Sequence, residues 1–109
     1  MQGKININPL SVNKCWQGRR FKTQEYKIYE QSVLIQLRAQ KAPQKPFILH
    51  LEFGVSTTLL DIDNPVKPFV DILQKKYGIN DRDIVEMHVK KTIVKRGNEF
   101  VKFELCSNI

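Results

Sequence analysis

The sequence predicts a single α+β domain over residues 1–109, in which a small mixed β-sheet carries two helices packed on one of its faces. Two stretches place apolar residues at helical spacing, and three stretches alternate apolar and polar residues as strands do. The chain has 109 residues, of which 41% are hydrophobic, and this suffices for one core of ordinary size.

The first part of the chain predicts a loop followed by a helix. Residues 8–22 are polar and basic, which is typical of a long loop, and Gly18 favours a short hairpin within it. Residues 4–7 are a candidate for a short first strand before this loop. Thr23 has the residue type of an N-cap, and the helix is expected to run to about Gln40. Its buried side repeats at helical spacing through Tyr26, Tyr29, Val33 and Leu37.

The middle of the chain predicts a strand and a second helix. Apolar residues alternate from Phe47 to Val55, as expected of a strand with one buried face. Pro65 suits the first turn of a helix, and Gly78 is able to end it. The apolar stripe between them consists of Val66, Phe69, Val70, Leu73 and Tyr77.

The last part of the chain predicts a β-hairpin. In residues 85–93 and 101–105, apolar residues occupy alternate positions and so share one face of each predicted strand. Residues 95–98, Lys-Arg-Gly-Asn, are predicted to form the turn between the two strands. Two helices over one face of the sheet then bury all of these stripes.

The charge balance favours an acidic partner. The chain has 18 Lys and Arg against 11 Asp and Glu, a formal net charge of +7. Nucleic acid is the leading candidate, because neutralised phosphates release counterions and drive association, although charge alone leaves other anionic partners open. Cys15 and Cys106 lie in no metal-ligand spacing, so no zinc site or disulfide framework is indicated, while a single bridge between them stays open.

The sequence predicts no membrane segment. No stretch is long and apolar enough to span a bilayer, and residues 1–7 lack the features of a signal peptide. We therefore expect a protein of the cytoplasm without a membrane partner.

Carboxylates gather at the start of the second helix. Asp61 and Asp63 lie two residues apart, so in an extended approach to the helix both side chains point to the same side, with Asp63 or Asn64 as the N-cap. Magnesium usually takes one or two protein carboxylates together with water and phosphate oxygens. These aspartates therefore predict a magnesium site, with Asp81 as a candidate third ligand, and manganese is not distinguished from magnesium.

A lysine lies near these carboxylates. Lys67 and Asp71 follow Asp63 at four-residue steps and so share one polar face of the helix. An ammonium group above the aspartates would stabilise charge on a scissile phosphate while water attacks. The alternative is purely structural, with Asp63 only an N-cap, Lys67 and Asp71 only a surface ion pair, and Asn80 and Asp81 only a turn.

A basic segment, residues 13–22, precedes the first helix. It is a candidate arm for binding phosphates, in which Trp16 is able to contact sugar or base, and a solvated loop is the alternative. Its candidate DNA-binding residues are Asn13, Lys14, Arg19, Arg20 and Lys22. The basic residues of the last two strands and their turn are more simply explained as keeping exposed strands soluble: Lys90, Lys91, Lys95, Arg96 and Lys102.

Three motifs in order resemble those of a known family. Residues 8–13, Asn-Pro-Leu-Ser-Val-Asn, are similar to a Pro-Pro-Ser-x-Asn opening, and residues 61–67, Asp-Ile-Asp-Asn-Pro-Val-Lys, keep an Asp-x-Asp-Asn-x-x-Lys pattern. Residues 80–85 are similar to a later Asp-Asp-x-Gln-Val element. With the basic segment, they make nearly the whole chain resemble the RusA-type Holliday-junction resolvases, which are small endonucleases.

The resemblance implies a catalytic set in which three carboxylates hold magnesium and a lysine assists the phosphate chemistry: Asp61, Asp63, Asp81 and Lys67. Because Asn80 replaces the first acid of the later pair, Asp81 is the expected ligand and Asp83 is the alternative. Asn64 and Asp71 would orient this shell.

The resemblance also implies a RusA-like fold and a homodimer, which would present two identical sites to symmetry-related strands. The expected function is therefore magnesium-dependent resolution of four-way Holliday junctions by paired phosphodiester hydrolysis. Two alternatives stay open, a non-catalytic protein that binds branched DNA and a nuclease that acts on other branched nucleic acids.

Overall fold

Strand β4 (Phe47–Val55) is an interior strand of the main sheet, with a neighbour on each edge. Strand β5 (Ile84–Ile93) pairs with it in parallel, and strand β6 (Phe100–Ser107) pairs with its other edge in antiparallel orientation. Strand β1 (Gln2–Ile5) lies antiparallel outside β6, which gives a four-stranded mixed sheet of order β1-β6-β4-β5. This computed structural model describes residues 1–18 and 21–109.

The predicted C-terminal hairpin is wrong. Strands β5 and β6 are not paired with each other, because β4 lies between them. The backbone N–H of Val94 donates to the carbonyl of Val55 at 2.8 Å, so the chain leaves β5 across the end of β4. Apolar alternation predicts which face of each strand is buried but not which strand lies next to it. The interior strand β4 has a neighbour on both edges.

Helix α1 (Gln24–Gln36) begins as the sequence predicts. Thr23 is its N-cap, and the Thr23 hydroxyl accepts a hydrogen bond from the backbone N–H of Tyr26 at 3.1 Å. This contact satisfies one of the free N–H groups at the helix start. Before α1, strands β2 (Trp16–Gln17) and β3 (Phe21–Lys22) form the short hairpin expected about Gly18.

The same helix ends at Gln36 rather than near Gln40, because Leu37 adopts an extended backbone while its side chain stays buried. The chain then runs beside β1. The Gln36 side chain exchanges two hydrogen bonds with the backbone of Asn6, at 3.0 and 3.2 Å, and Gln40 does the same with Gln2, at 3.2 and 3.0 Å. Side-chain amides thus occupy the outer edge of the sheet on this side.

Helix α2 (Val66–Tyr77) follows β4 and ends at Gly78 as predicted. Gly78 has a φ of 67°, which favours glycine, and its N–H donates to the carbonyl of Gln74 at 2.9 Å. The predicted stripe faces the sheet, and Ile72 is buried in addition. Because β4 and β5 are parallel, a crossover such as α2 must connect them.

The hydrophobic core lies between the helices and one face of the sheet, which confirms the predicted α+β arrangement. The other face is exposed and carries His50 and His88, whose rings stack with their centres 4.7 Å apart. In the part of the chain described, no helix is long and apolar enough to cross a membrane. Cys15 and Cys106 are both free thiols.

Candidate active site

The acid loop, residues 61–64, is a turn rather than the extended approach expected. The N–H of Asn64 donates to the carbonyl of Asp61, and the N–H of Val66 to that of Asp63, both at 3.1 Å. The predicted N-cap is wrong, since Pro65 holds that position without a side-chain cap. The carboxylates of Asp61 and Asp63 are therefore not used in capping, and both residues are exposed.

Two contacts fix this loop. The N–H of Val12 donates to the carbonyl of Asn64 at 2.9 Å, which ties the acid loop to the chain before the basic segment. The ammonium of Lys91 donates to the carbonyls of Leu60 at 2.8 Å and Thr58 at 3.4 Å. Lys91 was expected only to keep β5 soluble, but it holds the segment that leads into the acid loop.

Lys67 lies between two carboxylates. Its ammonium is 2.8 Å from Asp71 Oδ1 and 3.5 Å from Asp81 Oδ2. The hydrogen bond to Asp71, helped by the negative charge of Asp81 and opposed by partial desolvation, raises the pKa of Lys67 above its ordinary value. The lysine is therefore firmly cationic near neutral pH, next to a residue expected to hold the metal.

Asp81 is positioned by a residue that the sequence did not point out. Asp81 begins a short 3-10 turn, Asp81–Asp83, and its N–H donates to Gln74 Oε1 at 3.0 Å. The amide nitrogen of Gln74 donates to Asp71 Oδ1 at 3.1 Å. Gln74 follows Lys67 and Asp71 on the same helical face, and this spacing is the signal that would have identified it.

A groove of about 560 Å³ runs beside these residues, between α2 and the outer edge of β5. Three of the predicted site residues line it, namely Asp63, Lys67 and Asp81, whereas Asp61, Asp71 and Asp83 do not. The remaining lining residues are mostly apolar: Ile62, Val66, Val70, Ile84, Val85, Glu86, Met87 and Val89.

The groove is lined by two of the three predicted carboxylate ligands, Asp63 and Asp81, rather than by all three. Within residues 1–18 and 21–109, no group of three or more His, Cys, Asp or Glu side chains is arranged to hold a metal ion. Magnesium usually keeps several waters and takes one or two protein carboxylates. The exposed carboxylates of Asp63 and Asp81 are a donor set of that kind, so the residues present fit a hydrated magnesium ion.

The basic segment is only partly free to bind a ligand. Asn13 and Lys14 are exposed, whereas the Lys22 ammonium lies 3.0 Å from Glu30 and 5.2 Å from the centre of the Tyr26 ring. Glu30 also pairs with Lys75 at 3.1 Å. The predictions for two further residues lie outside the described part of the chain: Arg19 and Arg20.

Cys15 does not have the properties of a nucleophile. Burial, followed by the nearby charges of Asp71 and Glu25, raises the pKa of the Cys15 thiol to about 11. Near neutral pH it is therefore a thiol rather than the reactive thiolate. The ionisable groups that line the groove are carboxylates and a lysine.

Comparison with known families gives a match that covers most of the chain. Residues 8–102 match the family model described as Endodeoxyribonuclease RusA. That stretch includes the basic segment, both helices and every residue that lines the groove. No curated protein matches the chain.

Proposed function

Since the chain belongs to the RusA endodeoxyribonuclease family, a family of Holliday-junction endonucleases, we propose that it resolves four-way DNA junctions by magnesium-dependent, paired hydrolysis of phosphodiester bonds. The observation that carries this proposal is the groove in which Asp63, Asp81 and Lys67 meet. Carboxylates for a divalent ion beside a lysine for phosphate are what this hydrolysis requires, and the chain's charge of +7 favours a polyanionic substrate.

The metal would be held by Asp63 and Asp81, with Asp61 as the third carboxylate of the proposed set. Bound magnesium would supply positive charge that polarises water and the scissile phosphate. Asp63 and Asp81 line the groove and Asp83 does not, which favours Asp81 over Asp83. Manganese has similar oxygen preferences and would serve as a substitute.

Lys67 would neutralise charge that develops on the phosphate. Its ammonium already lies between Asp71 and Asp81, so a phosphate in the groove would meet a cation whose position is set. Asp71 accepts hydrogen bonds from Lys67 and Gln74, and Gln74 accepts one from the backbone N–H of Asp81. The Asn64 carbonyl accepts a hydrogen bond from the backbone N–H of Val12. These contacts would orient the catalytic groups rather than touch the substrate.

The basic segment would bind DNA phosphates. Lys14 and Asn13 are exposed and available for this, and Lys22 is partly exposed above Tyr26 while it is paired with Glu30. Contacts to phosphates position a protein on DNA without reading sequence. The remaining proposed contacts come from Arg19 and Arg20.

The test of this proposal is cleavage of a labelled four-way junction beside a matched linear duplex, with magnesium and with chelator, by the wild type and Asp63→Asn. We expect paired nicks that require the metal, a loss of roughly a thousandfold or more in Asp63→Asn, and unchanged junction binding. The thermal midpoint should not fall, because Asp63 is exposed and caps no helix.

Other outcomes would select among the alternatives. Tight junction binding by the wild type with no cutting under magnesium or manganese would favour a non-catalytic protein that binds branched DNA. Faster cleavage of flaps, forks or branched RNA than of the junction would favour another substrate. An Asp63→Asn variant that cuts like the wild type would remove Asp63 from the site.

We further propose that the chain is a homodimer whose subunits meet at the outer edge of β5. No strand of the described chain pairs with that edge, whereas the opposite edge is occupied by Gln36 and Gln40. Its apolar side chains are exposed, Val85 at 57% and Met87 at 40%. An unpaired strand edge with exposed apolar residues is a ready template for pairing with another chain.

The charges of β5 support antiparallel pairing of two copies about His88. Partners across such a pair share one face, so Glu86 would lie opposite Lys90 of the partner subunit, and the reverse contact would form by symmetry. The apolar groove beside Asp63 would then lie at the interface. Two sites related by a twofold axis suit the two cuts that resolve a junction.

Charge reversal tests this interface. Glu86→Lys and Lys90→Glu should each weaken the dimer by about tenfold, because each places like charges opposite one another at two positions. An equal mixture of the two variants should restore the dimer, and sedimentation velocity measures all three. If the single variants stay dimeric, or if the mixture stays monomeric, this edge is not the interface.

A further inference from the structure

The hairpin of β2 and β3 carries two aromatic side chains at the surface. Trp16 is 44% exposed and Phe21 is 71% exposed. Trp16 is opposite Lys22, and Gln17 is opposite Phe21. Because neighbouring residues of a strand point to opposite faces, Trp16 and Phe21 lie on different faces of the hairpin.

The face of Trp16 packs on α1. The Trp16 ring meets the Tyr26 ring edge-on, with centres 5.7 Å apart and planes at 76°. Lys22, on the same face, lies over the same tyrosine ring. Packing against α1 thus accounts for Trp16, whereas the more exposed Phe21 ring points away from that contact.

Backbone hydrogen bonds connect the base of this hairpin to the acid loop. Two residues after Phe21, the N–H of Thr23 donates to the carbonyl of Cys15 at 2.9 Å and closes the base of the hairpin. The N–H of Val12 bonds the Asn64 carbonyl, also at 2.9 Å, so the acid loop is tied to the same stretch of chain. Phe21 is therefore an exposed aromatic ring on a hairpin whose base is connected, through residues 12–15, to the acid loop.

We propose that Phe21 stacks on a base that has left the helical stack at the branch point of a DNA junction, an inference that rests on the proposed function. Aromatic side chains among basic residues bind unstacked bases, since every base offers a π-face while lysines follow the phosphates. Lys14 is exposed and Lys22 is partly exposed in the same segment. The cost of moving a base out of the stack falls where pairing or stacking is already disturbed, and a branch point interrupts the continuous stack of a duplex.

The experiment uses the Asp63→Asn protein, which should bind without cutting, and a four-way junction with 2-aminopurine at the branch point. The fluorescence of this base increases when the base leaves the stack. We expect the fluorescence of 2-aminopurine to increase when the Asp63→Asn protein binds. In Asp63→Asn/Phe21→Ala this increase should be lost, and junction binding should be about tenfold weaker. Affinity for linear duplex should change less than about twofold, because the phosphate contacts remain.

Two further variants separate stacking from general apolar contact. Phe21→Trp should retain the fluorescence increase, because another aromatic ring replaces the first. Ile35→Ala is the matched control, since Ile35 is a 77% exposed apolar residue on α1, and it should behave like the parent protein. Circular dichroism should show that Phe21→Ala folds normally, since the removed ring is largely exposed.

The possible failures are distinguishable. If wild-type protein cuts the junction while Phe21→Ala keeps the fluorescence increase and the affinity, the stacking inference is overturned and the nuclease proposal stands. If Phe21→Ala loses duplex and junction affinity equally, Phe21 is a general DNA contact and the stacking inference is again overturned. A wild type that neither binds nor cuts the junction overturns both.

Discussion

The two outer edges of the sheet differ in how their polar groups are used. At the β1 edge, the side-chain amides of Gln36 and Gln40 bond the backbone of Asn6 and Gln2, so this edge is closed. At the β5 edge, the exposed carboxylate of Asp63 faces a groove, with exposed apolar side chains beside it. The comparison predicts that changes at the first edge affect stability, whereas changes at the second affect binding and cleavage.

Among the lysine substitutions at the β5 edge, Lys67→Ala should have the largest effect. Removing its ammonium should lower the cleavage rate by about a hundredfold, because a positioned charge near the phosphate stabilises the transition state. Its ion pairs are exposed, so the free energy of unfolding should fall by less than about 1 kcal/mol. Single-turnover cleavage and urea unfolding measure the two.

Lys76→Ala is the control for this prediction, because Lys76 is an exposed lysine on the same helix outside the groove. It should cut nearly as fast as the wild type. An equal loss in both variants would mean that Lys67 acts only through the overall positive charge of α2.

Lys91→Met tests the support of the acid loop and should have a smaller effect. Methionine keeps the aliphatic stem but removes the ammonium that bonds the carbonyls of Leu60 and Thr58. A less fixed loop should slow cleavage by about tenfold, since small displacements of catalytic groups cost rate. Lys95→Met, in the exposed turn after β5, should cut at the wild-type rate, and equal slowing in both would exclude a specific role for Lys91.

Much of the fold follows from the sequence, because its signals there are local. The Thr23 cap, the alternation of β4 and the glycine that ends α2 each act within a few residues, and the structure confirms them. The order of the strands does not follow, because alternation determines which face a residue takes and not which strand lies beside it. The predicted hairpin of β5 and β6 failed for this reason.

In the candidate site, too, a contact between residues close in sequence was predicted, whereas a contact between distant residues was missed. The spacing of Lys67 and Asp71 predicts their contact, because both lie on one helix. The Lys91 contact with Leu60 joins residues 31 positions apart and depends on the parallel crossover from β4 to β5. The turn at 61–64 was missed because paired aspartates were expected in an extended chain, whereas proline at the N-cap follows a turn.

The closed edge gives the opposite kind of prediction, a loss of stability with no loss of activity. Gln36→Ala with Gln40→Ala removes the amides that bond the backbone of Asn6 and Gln2. The free energy of unfolding should fall by about 1 kcal/mol, because the released groups are exposed and water replaces part of the contact. Urea unfolding measures this, and junction cleavage below the transition should be unchanged. A loss of cleavage rate as large as that of Lys67→Ala would show that the β1 edge also contributes to cleavage.

Glu30 links the hairpin of β2 and β3 to α2, since its carboxylate pairs with Lys22 of the hairpin and with Lys75 of α2. Burial would raise the pKa of Glu30, but the hydrogen bonds from the two lysines outweigh it and hold the pKa below its ordinary value. A lowered folded-state pKa means stability that is present above the unfolded-state value and lost as the pH falls through the folded one. Glu30→Gln should therefore destabilise the protein near neutral pH by about 0.5 kcal/mol, because both lysines are partly exposed.

The pH dependence separates this charge effect from packing. The difference in unfolding free energy between wild type and Glu30→Gln should narrow as the pH falls below the ordinary pKa of a glutamate, because the wild-type carboxylate then becomes protonated as well. Lys75→Met removes one of the two ion pairs and should give roughly half the effect near neutral pH. A difference that stays constant with pH would assign the loss to packing of the side chain, and Glu30 would then not join the hairpin to α2 through charge.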